Sequence, residues 1–294
     1  MHHANVFYGH ANILARYCGL PESAAPPTIW GYLQHGWNTH DGFAVGHDFI
    51  AGYPRLVWSQ AVARRGRSLS GGEYRVIGSP WAYLLMLDPS TTLDPSTTLD
   101  PSTTLDPSTT SNPDARGTIV YPFHGWEGQQ IVGDHAAYAA QVRSTEGDVP
   151  ITLCLYWNDY DQAAVRRVYE DAGFRVITHG RRGHMYTGGD TDFLDRQLLE
   201  LRAHRRVVSN RMGSALLYGA SVGASIGVYG DPMVLQGDHA VLGGMARQQR
   251  MFPDLHQTRV PDAIAQEVAR IELGIDATLA PGVLEHVLSW DKLR

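Results

Sequence analysis

Short runs of β-branched and aromatic residues recur along this chain, each followed by a polar turn and then a stretch with helical spacing. The runs ANVFYG (4–9), TIWGYLQ (28–34), RLVWS (55–59), YRVIG (74–78), TIVYPF (118–123), ITLCLYW (151–157), RVITH (175–179), RVVSN (206–210) and SIGVYG (225–230) predict strands. Helices are predicted over 11–18, 132–144, 160–172, 191–204, 214–222, 262–274 and 281–290. The second half is the most regular: its strands at 151–157, 175–179, 206–210 and 225–230 are separated by three helices. That βαβαβαβ series predicts a parallel sheet with right-handed crossovers. Helix edges agree, with Asp190-Thr191-Asp192 supplying N-cap oxygens for 191–204 and Gly173 a C-cap.

One segment stands outside this alternation. LDPSTT occurs four times without change over 87–110. Pro in every unit and a single Leu leave no apolar face, so a disordered surface loop is expected there. GDVP (147–150) reads as a boundary. The expectation is an N-terminal α/β domain over 1–148 and a C-terminal α/β domain over 149–294.

Composition narrows the function classes. The chain has 294 residues, 43% of them hydrophobic, which suffices for one large or two modest cores. A net charge of −6 argues against a general nucleic-acid binder or a polybasic membrane anchor. Cys18 and Cys154 are too few for a disulfide framework or a zinc cluster. MHHANVFYGH is no secretory leader and no apolar run reaches membrane-spanning length, so a cytoplasmic protein is expected, with peripheral membrane association and oligomeric state left open.

In an open parallel sheet, ligands bind beyond the carboxyl ends of the strands. Those ends are rich in His-Gly pairs, Arg, Asn and Ser, which points to an enzyme with a cleft between two sheets and a phosphate-bearing ligand. In SNRMGSALLYGASVG (209–223) a strand ends in Asn210-Arg211, and Gly213-Ser214 open an apolar helix whose free amides would cradle a diphosphate. The alternative is that Ser214 merely caps that helix. His179-Gly180-Arg181-Arg182-Gly183 offers Arg forks for phosphate between glycines, or an ordinary exposed basic loop. His35 and His124 each end a strand, precede Gly and neighbour a Trp. Imidazole suits a general base at neutral pH, so both are catalytic candidates, with His35 preferred. Trp37, Ser79, Trp126, Glu127 and Asn158 would line the substrate, and Tyr229 the cofactor side. Asp190-Thr191-Asp192 resembles a metal-binding DxD but lies at a helix start. No metal and no other cofactor is expected, and no GxSxG elbow supports a Ser-His-Asp hydrolase.

LQHGW (33–37), VIGSP (76–80), THGRRG (178–183) and VVSNRMGSALLYGASVGASIGVYGDP (207–232) resemble the GT-B glycosyltransferases, closest to the bacterial capsule and wall-polymer enzymes that include glycerophosphotransferase-like members. The resemblance spans 28–80 and 150–232. It implies a compact α/β fold of two Rossmann-like parallel-sheet domains facing a cleft, the acceptor-side domain over 1–148 and the nucleotide-donor domain over 149–294, with metal-independent transfer of a sugar from a nucleotide-activated donor to a cell-envelope glycan or metabolite. By position, Arg211, Gly213 and Ser214 would take the phosphates, His179 and Gly180 would line the donor cleft, and His35 would act as base. The same fold also admits a pyruvyltransferase-like enzyme or a nucleotide-sugar epimerase. A non-catalytic nucleotide-sugar-binding protein is the third reading, because no Glu follows the GSALLYGASVG helix to hold a ribose.

Overall fold

A computed structural model describes residues 2–23, 25–44, 48–88, 112–125, 129, 131–184, 187–236 and 244–291. Most of the LDPSTT repeat therefore lies outside the described residues. The chain forms two compact units, one of Met1–Thr110, Arg181–Asp195 and Val268–Arg294, the other of Ser111–Gly180 and Arg196–Glu267.

The first unit begins with a 3-10 turn, His3–Gly9, and helix α1 (His10–Tyr17). Strands β1 (Tyr32–Leu33), β2 (Arg55–Val57) and β3 (Tyr74–Val76) follow, with helices α2 (Gln60–Ser70) and α3 (Pro80–Leu87) after β2 and β3. The three strands form a parallel sheet in chain order. The strand expected at 4–9 is the one error of type. Tyr8 and Gly9 have φ of 57° and 72°, which no strand accommodates. Asn5 takes the place of that strand: its amide donates to the Gly31 carbonyl at 2.9 Å and accepts the Leu33 N–H at 2.8 Å, satisfying the free edge of β1.

Helices α2 and α3 were not predicted. Ser59 caps α2 by accepting the Val62 N–H, and Ser79 caps α3 by accepting the Ala82 N–H, with Pro80 at the first helical position. The sequence WAYLLML is apolar on all faces, so it has no helical period to read. Tyr32, Phe43, Val57, Val62, Ala63 and Tyr74 form the core of this sheet.

The second unit contains β4 (Thr118–Val120), β5 (Ile131–Val132), α4 (His135–Glu146), β6 (Ile151–Cys154), α5 (Trp157–Tyr160), α6 (Ala163–Asp171) and β7 (Arg175–Ile177). The chain returns to the first unit for the antiparallel hairpin of β8 (Arg182–His184) and β9 (Thr187–Gly189). Helix α7 (Phe193–Ala203), β10 (Arg206–Ser209), α8 (Ser214–Ser221), β11 (Ser225–Val228), β12 (Val234–Leu235), α9 (Gly244–Met251), α10 (Asp262–Leu273) and α11 (Pro281–Leu288) complete the order. Strands β11-β10-β4-β6-β7 form one parallel sheet in that spatial order. The fold class is α/β with a parallel sheet in each unit, as expected.

Every residue of β4, β6 and β10 is buried, the mark of strands covered on both faces. Val120, Leu153 and Val208 pack with Tyr138 and Val142 of α4 and Tyr169 of α6. Arg206 is charged yet 6% exposed, and Glu146 matches it with Oε1 and Oε2 at 3.0 and 2.9 Å from its Nε. The boundary expected at 148/149 falls inside this unit, between α4 and β6. The reason is β4, which pairs with β6 on one side and β10 on the other and so draws residues from 111 onward into the second sheet. Among the described residues no helix is long and apolar enough to cross a membrane.

Candidate functional site

The five-stranded sheet starts at its centre. Chain order runs from β4 outward through β6 and β7, then returns to the other side of β4 for β10 and β11. The order reverses between β4 and β10, and a crevice opens at such a switch point beyond the carboxyl ends of the two strands. The segments leaving those strands are Tyr121–Gly125 and Asn210–Ser214, and Asn210 joins them. Its Oδ1 accepts the Phe123 N–H at 2.6 Å, while its Nδ2 donates to the Asp231 carbonyl at 2.7 Å.

Arg211 follows at 8% exposure. Its guanidinium lies 3.9 Å over the Phe123 ring, its Nε donates to the Pro232 carbonyl at 2.6 Å, and its Nη2 donates to the Met233 carbonyl. The cation expected on a diphosphate thus braces the 231–233 turn and the Phe123 ring. Beyond it, α8 starts after its N-cap Gly213, which has no side chain with which to cap the helix, and a Cβ placed on Gly213 would meet nothing within 4 Å. Gly213 and Ser214 are both partly exposed. A helix start of this kind presents backbone amides and the positive end of the dipole.

His124 is exposed at the end of the β4 segment and stacks on Tyr156, with centroids 4.4 Å apart and planes 14° from parallel. Its Nδ1 lies 2.6 Å from the Gly125 carbonyl. A carbonyl only accepts, so Nδ1 carries the hydrogen in the neutral ring and Nε2 is the basic nitrogen. Trp126 and Glu127 lie outside the described residues.

His179 is 3% exposed, and its Nε2 is 2.9 Å from the Tyr121 hydroxyl. Burial, with the charges of Arg196 and Arg175, lowers its pKa to about 3, so it is neutral at physiological pH. Gly180 donates its N–H to Thr178 Oγ1 at 3.2 Å. Tyr229 donates its hydroxyl to Glu146 Oε1 at 2.8 Å, a carboxylate that also accepts from Thr118 Oγ1. Asn158 is half-buried in α5, where its carbonyl accepts from Gln162 Nε2.

The remaining expected residues belong to the first unit. His35 follows β1 and meets Phe7 edge-on, with ring centroids 5.8 Å apart. Trp37 is buried, its indole N–H donating to Glu272 Oε2 at 2.7 Å. Ser79 is the buried cap of α3. Arg181 is exposed at the foot of the hairpin, where its N–H donates to Asp190 Oδ2 at 2.7 Å and its carbonyl accepts the Asp190 N–H. Asp190 thereby closes the hairpin before the helix it was expected to open. A cavity of about 380 Å³ in this unit is lined by Asn12, Arg16, Glu22, Asp192 and Asp195 among others, and by none of the expected site residues. No group of three or more metal-ligating side chains occurs among the described residues.

Sequence reasoning missed Phe123, Tyr156 and Asp159. Phe123 and Tyr156 lay inside segments read as strand. Asp159 was visible beside Asn158 in WNDYD, but its burial was not.

No family model matches the sequence, and no curated protein matches it. Among the solved structures that share a distant likeness are two bacterial proteins. S. aureus MnaA with UDP is 11% identical at a TM-score of 0.36, over 82% of this chain and 60% of that one. A Listeria monocytogenes protein assigned as a UDP-N-acetylglucosamine 2-epimerase is 13% identical at a TM-score of 0.35, over 81% and 56%. The chain thus spans less than two thirds of the length of either.

Proposed function

We propose that this chain is an enzyme acting on a nucleotide-activated sugar, bound at the carboxyl edge of the five-stranded sheet. The observation that carries the reading is the reversal of strand order between β4 and β10, with the glycine N-cap and the start of α8 beside it. In this reading the Gly213 and Ser214 amides hold the diphosphate, Asn210 and Arg211 fix the loops around it, and His124 Nε2 accepts a proton from the sugar. The base and the phosphate cradle then share one sheet edge, so acid–base chemistry on the nucleotide sugar needs no second substrate. That arrangement supports an epimerase-type rearrangement more directly than glycosyl transfer, which would add an acceptor.

Thermal-shift and calorimetric titrations with UDP, GDP, dTDP and CDP test the site. At least one nucleoside diphosphate should bind to the wild type. Gly213→Asp should stabilise the helix start yet abolish that binding, because a carboxylate favours the dipole but repels phosphate. Absence of binding across the four bases, or full affinity in Gly213→Asp, overturns the reading. Incubating the matching nucleotide sugars without acceptor, followed by NMR, then separates the chemistries: an epimerase produces a new sugar isomer, whereas a transferase leaves the sugar unchanged.

A further inference from the structure

The second unit holds a buried carboxyl that the reading above does not use. Asp159 lies on α5, the short helix after β6, where its N–H donates to the Tyr156 carbonyl at 3.0 Å. Tyr156 is the residue on which His124 stacks. Asp159 is 9% exposed, and its carboxyl takes part in no side-chain hydrogen bond or ion pair among the described residues. Neither of its oxygens is sealed from solvent, so the carboxyl is mostly buried yet within reach of a bound molecule.

The polar neighbours of this carboxyl are themselves titratable. Tyr169 of α6 lies within electrostatic range of Asp159. The Tyr169 hydroxyl is 2.8 Å from Nδ1 of His135, the first residue of α4. His135 lies near Asp134, the cap of that helix. These helix starts and the end of β6 belong to one edge of the sheet, the edge where His124 is exposed. Burial raises the Asp159 carboxyl to about 6, and burial lowers His135. A carboxyl so placed can change protonation state near neutrality, as a general acid–base group requires.

We propose that Asp159 is the second proton-transfer group of the nucleotide-sugar site, facing a hydroxyl of the bound sugar while His124 serves another position. In the step assigned to it, the carboxylate takes the hydroxyl proton as the sugar O–H bond breaks, and the electron pair stays on the sugar oxygen. The reverse transfer restores the carboxylate. This inference rests on the nucleotide-sugar reading and adds the identity of a reacting group to it.

Asp159→Asn, which keeps shape and removes the ionisation, provides the test, alongside wild type on UDP-, GDP-, dTDP- and CDP-linked sugars. Turnover should fall on the order of 100-fold or more. The rate limb near pH 6 should disappear, and nucleoside diphosphate affinity should be retained. Thermal stability should hold or rise, because no hydrogen bond is lost; a purely structural Asp159 would lower it instead. Retained turnover with an unchanged pH profile overturns the role of Asp159 alone. Nucleoside diphosphate binding by the wild type with no turnover on any of the four sugars also overturns it. Failure of the wild type to bind any nucleoside diphosphate overturns the nucleotide site itself, and this role with it.

Discussion

Asn210 Oδ1 accepts the Phe123 backbone N–H at 2.6 Å, so the segments leaving β10 and β4 are tied across the point where strand order reverses. Asn210 is 1% exposed and also donates to the Asp231 carbonyl, giving one side chain three segments to hold. Asn210→Ala would leave the Phe123 N–H and the Asp231 carbonyl, both in partly buried hydrogen bonds, without this partner. The expected cost is about 2–4 kcal/mol, with weakened nucleoside diphosphate binding because the loops lose their mutual anchor. Urea unfolding with parallel calorimetry checks both effects. A loss under about 0.5 kcal/mol would remove this residue from its organising role.

Glu272 joins α10 to the first sheet. Arg65 reaches both of its oxygens, at 2.8 and 2.6 Å, and Trp37 donates to Oε2 at 2.7 Å. The two charged side chains are 15% and 3% exposed, so removing one partner strands the other. Glu272→Ala should destabilise by about 3–5 kcal/mol. Trp37→Phe, which removes only the indole donor, should cost about 1–2 kcal/mol. A Trp37→Phe variant of unchanged stability in denaturant unfolding would reopen its assignment to the substrate.

Acid should weaken this protein through its buried imidazoles. His10 is fully buried, and among the described residues neither ring nitrogen has a hydrogen-bond partner. Burial, then the neighbouring charge of His35, lowers it from 6.5 to about 3, and His179 is lowered to about 3 as well. Each is a base with a depressed folded-state pKa, so the unfolded chain binds more protons over this range. Their contribution is complete above about pH 6.5 and is lost progressively as pH falls toward 3. His10→Leu removes one of these titrations without losing a hydrogen bond. Its unfolding free energy should therefore fall less than that of wild type between pH 7 and 4. Equal slopes for the two proteins would refute the burial argument.

Gly274 lies at φ +61°, and a Cβ there would stand 1.9 Å from the Trp58 carbonyl oxygen. Gly274→Ala must shift the backbone of either the turn after α10 or the end of β2. A loss of at least about 2 kcal/mol is expected, combining left-handed strain with the clash. Gly213→Ala, in open space at ordinary extended φ, is the control and should change stability little. Comparable melting temperatures for the two variants would contradict the steric account.

Local signals made the second sheet legible. Val207-Val208, Ile151–Cys154 and Ile226 belong to short runs rich in β-branched residues, bounded by polar turns, and each forms a parallel strand within or close to its expected span. Ser59 caps an amphipathic run over α2 that was not read as a helix, and Ser79-Pro80 opens a helix that is apolar all round and offers no period. The 4–9 segment misled because its composition is that of a strand while Asn5 hydrogen-bonds the edge of β1 through its side chain.

Chemistry was less legible than fold. Sequence identified the strand ends that gather polar residues, and His124, Asn210, Arg211, Gly213 and Ser214 do occupy one sheet edge. It could not assign their hydrogen bonds. Arg211 and Asn210 are engaged with backbone groups of the 123 and 231–233 segments, and Tyr229 with Glu146.

By itself, then, the sequence determined the alternation of strand and helix and the parallel character of the second sheet, because hydrophobic periodicity and caps are properties of neighbours in the chain. Tertiary structure alone decided that β4 is the centre of the second sheet, which residues before 149 join it, and which polar side chains hold the fold. Those outcomes depend on partners far along the chain, such as Thr118 with Glu146 and Asn210 with Phe123. Burial decided the rest. Only the packing of α5 beside the end of β6 makes Asp159 a desolvated carboxyl, where the sequence reads as one more polar turn.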